Sequence, residues 1–455
     1  MKILYCLRSA NIFNYHESVI ESLSKNGHNV HIVFSTTSDF TDIDPNPIQR
    51  LKKLHSTTYE YLILKRSIIQ KINLIIREVK SYQRYFDNSY QDNSQHSFYQ
   101  ERWAKYLPMY IRFIVTKISF FKFPLIRKLM HIFFNLIEFI SGTPNAHKKI
   151  INDFSPDLII GSPCNMRYSE EIDFIKYGRK KKIFSIISIL SWDNLTTKGG
   201  FNISPDIFFV WNTTHEEELI NYHNVDKKNI VICGSPFFDK WFIEQYDNFE
   251  EKDFIKSFNI EPNRKFIIYL GSSANLGKYD EEIIYEILKF LDNSDNSSVK
   301  DLILIIKPHL SNQDFINKFG KFNNVRVWKN DRDYDWIASQ SLFKFALNNA
   351  ICSLGLNTTA MIDSVINNCP VISIIHEKNI EEPTNSAIHF KTLLNLEIYH
   401  HINNINNLDL EIDFISNNNA LFNEKRNRFI SNFIRPINLK SSVGDITRKE
   451  IEKLF

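Results

Sequence analysis

The chain has 455 residues, a length that suits two or three domains. Hydrophobic residues make up 43% and charged residues 24%, which excludes global disorder. The net charge of +3, from 55 basic and 52 acidic side chains, excludes the overall polycation that nucleic acid would select. Asparagine (48) far outnumbers glycine (12), so asparagine is expected at many turns. The cysteines at 6, 164, 233, 352 and 369 show no zinc or CxxC spacing and read as buried thiols of a cytoplasmic protein. No uncharged apolar run reaches the roughly 20 residues of a membrane span. The polar stretch after MKILYCL lacks a signal-peptide cleavage site.

In chain order, Lys2–Leu7 reads as a buried strand, Arg8–Tyr15 as a polar loop, His16–Lys25 as a helix and Asn29–Phe34 as a second strand. This βαβ start predicts a parallel sheet whose ligand loops lie at strand C-terminal ends. Residues 50–140 read as helical. From Arg102 to Ile137 there are seven Lys/Arg and no Asp or Glu, interleaved with Trp103, Tyr106, Tyr110, Phe113, Phe120, Phe121 and Phe123. That pattern fits helices resting on an anionic membrane, or an ordinary insertion with an aromatic core. Strands then recur at Asp157–Ile160, Ile183–Ile189, Ile207–Val210 and Ile230–Cys233, the last followed by Gly234-Ser235-Pro236. After a linker with a first helix at 240–262, a second set follows: Phe266–Leu270, Leu302–Ile306, Val325–Trp328, Ala350–Ser353 and Val371–Ile375. The Asn-rich stretch 403–419 reads as loop, and 423–455 as largely helical.

Four strand-end clusters could carry chemistry. Gly355-Leu356-Asn357-Thr358-Thr359 runs from a strand into a helix, where backbone N–H groups and two hydroxyls suit a phosphate. Asp363, one turn further, could accept hydrogen bonds from a ribose. Lys307-Pro308-His309 ends a buried strand and offers two cations-in-waiting to a leaving phosphate. Gly271-Ser272-Ser273 permits close approach of backbone to a ligand. Ser191–Gly200 holds Trp192, Asp193, Asn194 and Lys198. Asp193 could serve as general base, form a covalent adduct or stabilise a cationic transition state, while Lys198 suits a phosphate or carboxylate. His16 is a weaker candidate base, and Glu170 and Glu171 weaker still. Asp331, Asp333 and Asp335 alternate in DRDYDW, but Arg332 and the absence of a glycine-containing calcium loop argue against a metal there.

These motifs resemble the GT-B glycosyltransferases. The second-half GxNTTAxxD…PV pattern carries the likeness, and it spans most of residues 1–35 and 150–430. A narrower resemblance is to the CDP-glycerol glycerophosphotransferases and surface-polysaccharide transferases. Trp192, Asp193, Asn194 and Lys198 match their W-H-G-x-x-x-K segment with aspartate in the histidine place. Gly234, Pro236 and Asp239 match G-x-P-x-x-D, and Lys307, Pro308 and His309 match R/K-P-H. Transferases of the acidic sugar Kdo, with CMP-linked donors, have a similar KPH-like segment.

The resemblance implies an α/β GT-B fold of two Rossmann-like domains facing across a cleft. Residues 1–240 would be the acceptor domain, with a basic helical insertion at about 50–145. Residues 241–430 would be the nucleotide-donor domain, and the tail 431–455 would pack back on the first domain. The donor contacts implied are Gly271, Ser272, Ser273, Lys307, His309, Asn357, Thr358, Thr359 and Asp363. The catalytic candidates are Asp193 and His16, and the acceptor or phosphate contacts are Trp192, Asn194, Lys198 and Ser235. The implied activity is metal-independent transfer of a sugar from a nucleotide-sugar donor to a glycan or lipid-linked acceptor in bacterial surface-polysaccharide or lipopolysaccharide assembly. No resident cofactor is expected, because the nucleotide sugar is a substrate. The partners expected are that donor, the acceptor and an anionic membrane reached through 102–137, with no nucleic acid. The competing readings are a CDP-polyol phosphotransferase, a sugar-nucleotide epimerase and a non-catalytic scaffold.

Overall fold

The computed structural model describes residues 1–35, 45–86, 96–118, 122–247, 249–272, 279–309, 314–329, 336–356, 358–375 and 387–455. Strand β1 (Lys2–Leu7) is buried at every position after the first. A strand apolar on both faces belongs inside a parallel sheet covered by helices on both sides. It pairs in parallel with β2 (Asn29–Ser35). The same sheet contains β3 (Thr57–Leu62), β4 (Leu158–Ser162), β5 (Phe184–Ser188), β6 (Ile207–Val210) and β7 (Ile230–Ile232), in the order β3-β2-β1-β4-β5-β6-β7. Every described pairing is parallel. The order reverses between β1 and β4, so the loops after these strands diverge and leave a crevice there.

A second sheet contains β8 (Phe266–Leu270), β9 (Ile303–Lys307), β10 (Val325–Val327), β11 (Ser353–Gly355), β12 (Val371–Ile374) and β13 (Tyr399–Ile402). Its order is β10-β9-β8-β11-β12-β13, again all parallel, with the reversal between β8 and β11. The chain divides into two compact units, Met1–Phe237 with Asn432–Phe455, and Phe238–Ser431. The last helix, Val443–Lys453, packs in the first unit against the helix Phe13–Lys25. A Cβ on Gly444 would lie 2.2 Å from the Ser18 carbonyl oxygen, so only glycine allows that approach. Ser442 caps the helix by accepting from the Asp445 N–H at 3.0 Å.

Several elements differ from the sequence reading. The first helix starts at Phe13 rather than His16, because Phe13, His16, Ile20 and Leu23 form one buried face. Strand β3 lies inside the stretch expected to be helical. Its Thr and Tyr residues favour an edge strand, and helix begins only at Ile68. Strand β13 was not expected, and β11 starts three residues later than the predicted strand and shares only Ser353 with it. The Asn-rich stretch expected as loop holds the helix Leu408–Asn417, which buries Leu408, Ile412 and Ile415 at helical spacing.

The helical insertion comprises Ile68–Arg84, His96–Tyr106, Met109–Lys117 and Pro124–Ser141. A buried ionic network ties it to the first sheet's outer helix, Ile172–Lys181. Arg77 donates to both Glu138 oxygens at 2.8 and 2.6 Å and to Asp173 at 2.7 Å. Lys176 donates to Glu138 at 2.6 Å and Arg66 to Asp173 at 3.0 Å. Burial alone would raise the Glu138 pKa, yet the Arg77 and Lys176 contacts outweigh it and hold the carboxyl at about 2.

Candidate functional site

In the first unit, the loop after β5 is shaped by Asp193. Ser191 donates to one carboxylate oxygen at 2.6 Å, and Thr197 (2.9 Å) and Lys198 (3.0 Å) donate to the other. The Asp193 side chain is 25% exposed, so it is braced yet reachable. Asn194 is buried, and its amide donates to Asn165 at 3.0 Å, joining the loop after β4 to the loop after β5. Trp192 is buried as well. These two shape the loop from behind and leave Lys198 facing the surface.

Beside this loop lies a cavity of about 280 Å³ lined by Arg8, Arg102, Trp103, Tyr106, Met166, Arg167, Thr197 and Lys198. Arg8 follows β1 and Arg167 follows β4, so the cavity opens at the point where the strand order reverses. Four cationic side chains around one cavity suit a phosphate or carboxylate. The Arg167 guanidinium lies 4.8 Å from the Tyr106 ring centroid, which fixes its plane. Glu78, behind the cavity, accepts from the Tyr168 N–H at 2.7 Å. Burial pushes its carboxyl up to about 7, against the opposing pull of that N–H and the charges of Arg167, Arg8 and Arg77.

The insertion holds the site in place. Arg84 donates to the carbonyl oxygens of Lys198 (2.7 Å) and Gly199 (3.0 Å), and the Tyr85 hydroxyl donates to Lys198 at 3.2 Å. A Cβ on Gly199 would meet Ser81 Oγ at 2.7 Å and the Trp103 ring at 2.9 Å, so glycine is required where the insertion presses on the loop.

His16 is not part of this site. It is 1% exposed, its Nδ1 lies 3.0 Å from the Tyr5 hydroxyl, and burial lowers its pKa to about 3. That corrects its reading as a base: the ring is neutral and packed in the core. Ser235 is also withdrawn. It is fully buried, and its N–H donates to the Ile434 carbonyl at 2.9 Å. Glu171 is buried and accepts from the Ser169 hydroxyl, and burial pushes Glu170 up to about 7.

In the second unit, Gly271 follows β8 and Lys307 ends β9. The Gly271 N–H donates to the Lys307 carbonyl at 2.9 Å, and a Cβ there would lie 2.8 Å from the His309 nitrogen. The Ser272 N–H donates to Asp280 at 2.7 Å, and Tyr269 donates to the other Asp280 oxygen at 2.9 Å. Asp280 thus sets the turn from below. The Lys307 ammonium sits 4.7 Å from the Trp328 ring centroid and 4.9 Å from that of Phe343. The aromatic faces hold the cation at the strand end without cancelling its charge. Burial lowers the His309 pKa, which favours the neutral ring.

Thr358 is the N-cap of the helix Thr359–Ile366 and makes no side-chain capping bond. Asp363 is buried and accepts from the Trp241 indole at 2.6 Å, so one of its oxygens is already engaged. Burial raises its pKa, opposed by the charge of Lys240, the Trp241 bond and the charge of Lys307. Ser273, Asn357, Asp331, Asp333 and Asp335 lie outside the described residues. Among the described residues no group of three or more His, Cys, Asp or Glu side chains comes together as a metal site. No helix among them is long and apolar enough to cross a membrane.

Sequence reasoning missed Arg8, Glu78, Arg167 and Asp280. The first three are brought together only by the fold. Asp280, in the acidic first turn of the helix Asp280–Asn293, carried a signal as a helix-start carboxylate.

No protein-family model and no curated protein matches the sequence. Solved structures do resemble the fold. The UDP-GlcNAc 2-epimerase of Neisseria meningitidis, bound to UDP-GlcNAc, is 10% identical with a TM-score of 0.57, covering 100% of this chain and 99% of that one. The wall teichoic acid polymerase TagF is 12% identical with a TM-score of 0.50, covering 100% and 89%. The calicheamicin glycosyltransferase CalG4 is 10% identical with a TM-score of 0.51, covering 99% and 97%. The chain therefore has the two-unit α/β fold of the GT-B enzymes. At these identities the likeness is one of fold, and the same fold serves epimerases, glycosyltransferases and a polymerase.

Proposed function

We propose that the protein is a glycosyltransferase that moves a sugar from a nucleotide-sugar donor to an acidic glycan or lipid-linked acceptor in bacterial surface-polysaccharide or lipopolysaccharide assembly. The observation that carries this reading is Asp193, braced by Ser191, Thr197 and Lys198 beside a cavity lined by four cations. An epimerase has no separate acceptor to hold, whereas a cationic cavity next to a carboxylate suits an anionic acceptor whose hydroxyl must lose a proton.

In this reading Asp193 accepts the proton of the attacking hydroxyl. Lys198, Arg102 and Arg167 orient the acceptor's phosphate or carboxylate. In the second unit, the N–H groups at the start of Thr359–Ile366 and the Thr358 and Thr359 hydroxyls take the donor phosphates. Lys307 offsets the charge that grows on the leaving phosphate, and this supplies without a metal ion what GT-B enzymes require. The remaining Asp363 oxygen accepts from the ribose. The protein works at the inner face of the cytoplasmic membrane, reached through 102–137.

The test is to incubate the purified protein with CMP-, CDP-, UDP- and GDP-linked sugars, with and without phosphorylated glycan acceptors, and to read products by mass spectrometry. A glycosylated acceptor with release of one nucleotide supports the reading. Conversion of the nucleotide sugar without acceptor supports an epimerase, and a phosphopolyol product supports the CDP-polyol reading.

A further inference from the structure

A second cavity, distinct from the one beside Asp193, lies between the insertion and the segments around Gly200–Ser204 and Tyr222–Val225. Its volume is about 520 Å³, and its lining includes the cations Lys80, Arg84, Arg127 and Lys128, with His131 and with His223, whose pKa burial and the Arg84 charge lower, and with no carboxylate among the described lining residues. Three of those side chains stand on one side of the helix Pro124–Ser141. The other side of that helix exposes Leu125, Leu129, Ile132, Phe133, Leu136 and Phe139, with Phe139 83% exposed. The preceding helix in the chain, Met109–Lys117, exposes Met109, Tyr110 and Phe113 and carries Arg112 and Lys117.

An apolar stripe flanked by cations is the pattern of a helix lying in a membrane interface. At 18 residues, with Arg127, Lys128 and His131 on one side, this helix is not apolar enough to cross a bilayer and has the pattern of one that rests on its surface. The same helix joins the stripe to the basic cavity, so a lipid beneath the stripe would present its headgroup to Lys128 and Lys80.

We propose that this cavity binds the phosphate headgroup of an anionic membrane lipid while the apolar face of Pro124–Ser141 enters the acyl region. The occupant is a bilayer, because the charge complements an anionic headgroup and the exposed stripe complements its chains. The proposal deepens the membrane contact in the reading above, but it stands on binding alone.

The test is co-sedimentation of the full chain with vesicles of phosphatidylcholine alone or mixed with phosphatidylglycerol. Wild-type protein sediments several-fold more with the mixed vesicles. Lys128→Glu loses about fivefold or more of that binding, since each basic residue near an anionic surface contributes on this scale. Leu125→Ser with Phe139→Ser loses binding to both vesicle types. All three positions are solvent-facing, and far-ultraviolet circular dichroism checks that each variant folds. Equal sedimentation of wild type with both vesicle types overturns the proposal, as does unchanged binding of Lys128→Glu. Thermal stabilisation by inorganic phosphate without vesicle binding would mark a soluble-anion site and overturn it too. A dimer in light scattering with no vesicle binding would assign the apolar face to a second copy. Transfer to a soluble acceptor, assayed without vesicles, separates failure of this proposal from failure of the transferase reading.

Discussion

The strand-end clusters of the two units have the same topological origin but opposite construction. In the first unit, side chains dominate: Arg8, Arg102, Arg167 and Lys198 line the cavity, and helices from outside the sheet brace the loop. In the second unit, backbone dominates: Gly271 packs against the backbone of Lys307–His309 with its N–H bonded to the Lys307 carbonyl, and the start of Thr359–Ile366 presents N–H groups, with the Lys307 ammonium near two aromatic rings. Backbone donors at a strand-to-helix turn recognise phosphate whatever is attached to it. Side chains on strand-end loops, as Arg8, Arg167 and Lys198 are, or on an insertion, as Arg102 is, can be changed without altering the sheet. In the proposed function, this difference would give the second unit the phosphates of a nucleotide donor and the first unit the acceptor.

That contrast can be broken by substitution. The largest effect is expected for Asp193→Asn, which keeps the shape but removes the base. Turnover should fall by about 10²–10⁴-fold with an unchanged melting temperature, and a near-normal rate in a coupled nucleotide-release assay would remove Asp193 from the mechanism. Next is Arg77→Met, which leaves Glu138 and Asp173 buried without their main partner. It should cost about 3–5 kcal/mol in chemical denaturation, and proteolysis should begin within the insertion. The same network makes stability acid-sensitive. The Glu138 pKa lies near 2 in the fold and 4.5 as a reference, so its contribution is complete above about pH 4.5 and lost as pH falls towards 2.

A smaller effect, sharper in what it distinguishes, is expected for Lys307→Met. Donor KM should rise and kcat fall, lowering donor kcat/KM by about tenfold or more, the scale of one charge-assisted contact, while acceptor KM stays the same. The smallest is Glu78→Gln. Glu78 is neutral below its pKa of about 7 and charged above it, so an anionic acceptor should bind more weakly as pH rises through that value. The glutamine variant should show a flat acceptor KM across about pH 6–8, where wild type shows a few-fold rise.

Much of the fold was legible because parallel strands buried on both faces are continuous apolar runs, as in β1 and β9. The strand ends were legible for the same reason, since the polar residues after each run had to be loops. The sequence did not reveal β3, whose mixed exposure resembles that of a helix surface, or the helix Leu408–Asn417, whose apolar spacing is hidden among asparagines. Arg8, Glu78, Arg102 and Arg167 are far apart in the chain and form one neighbourhood only through tertiary packing. His16 was misread although Phe13, Ile20 and Leu23 already marked its helix face as buried.

The most direct measurement of the division of labour is a thermal-shift titration of wild type, Lys307→Met and Asp193→Asn with CMP, CDP, UDP and GDP. A ligand that binds the folded state raises its melting temperature. One nucleotide is expected to stabilise wild type and Asp193→Asn alike and to stabilise Lys307→Met clearly less, by the margin that a roughly tenfold weaker affinity gives. No stabilisation by any nucleotide, or a shift abolished by Asp193→Asn and kept by Lys307→Met, would contradict it.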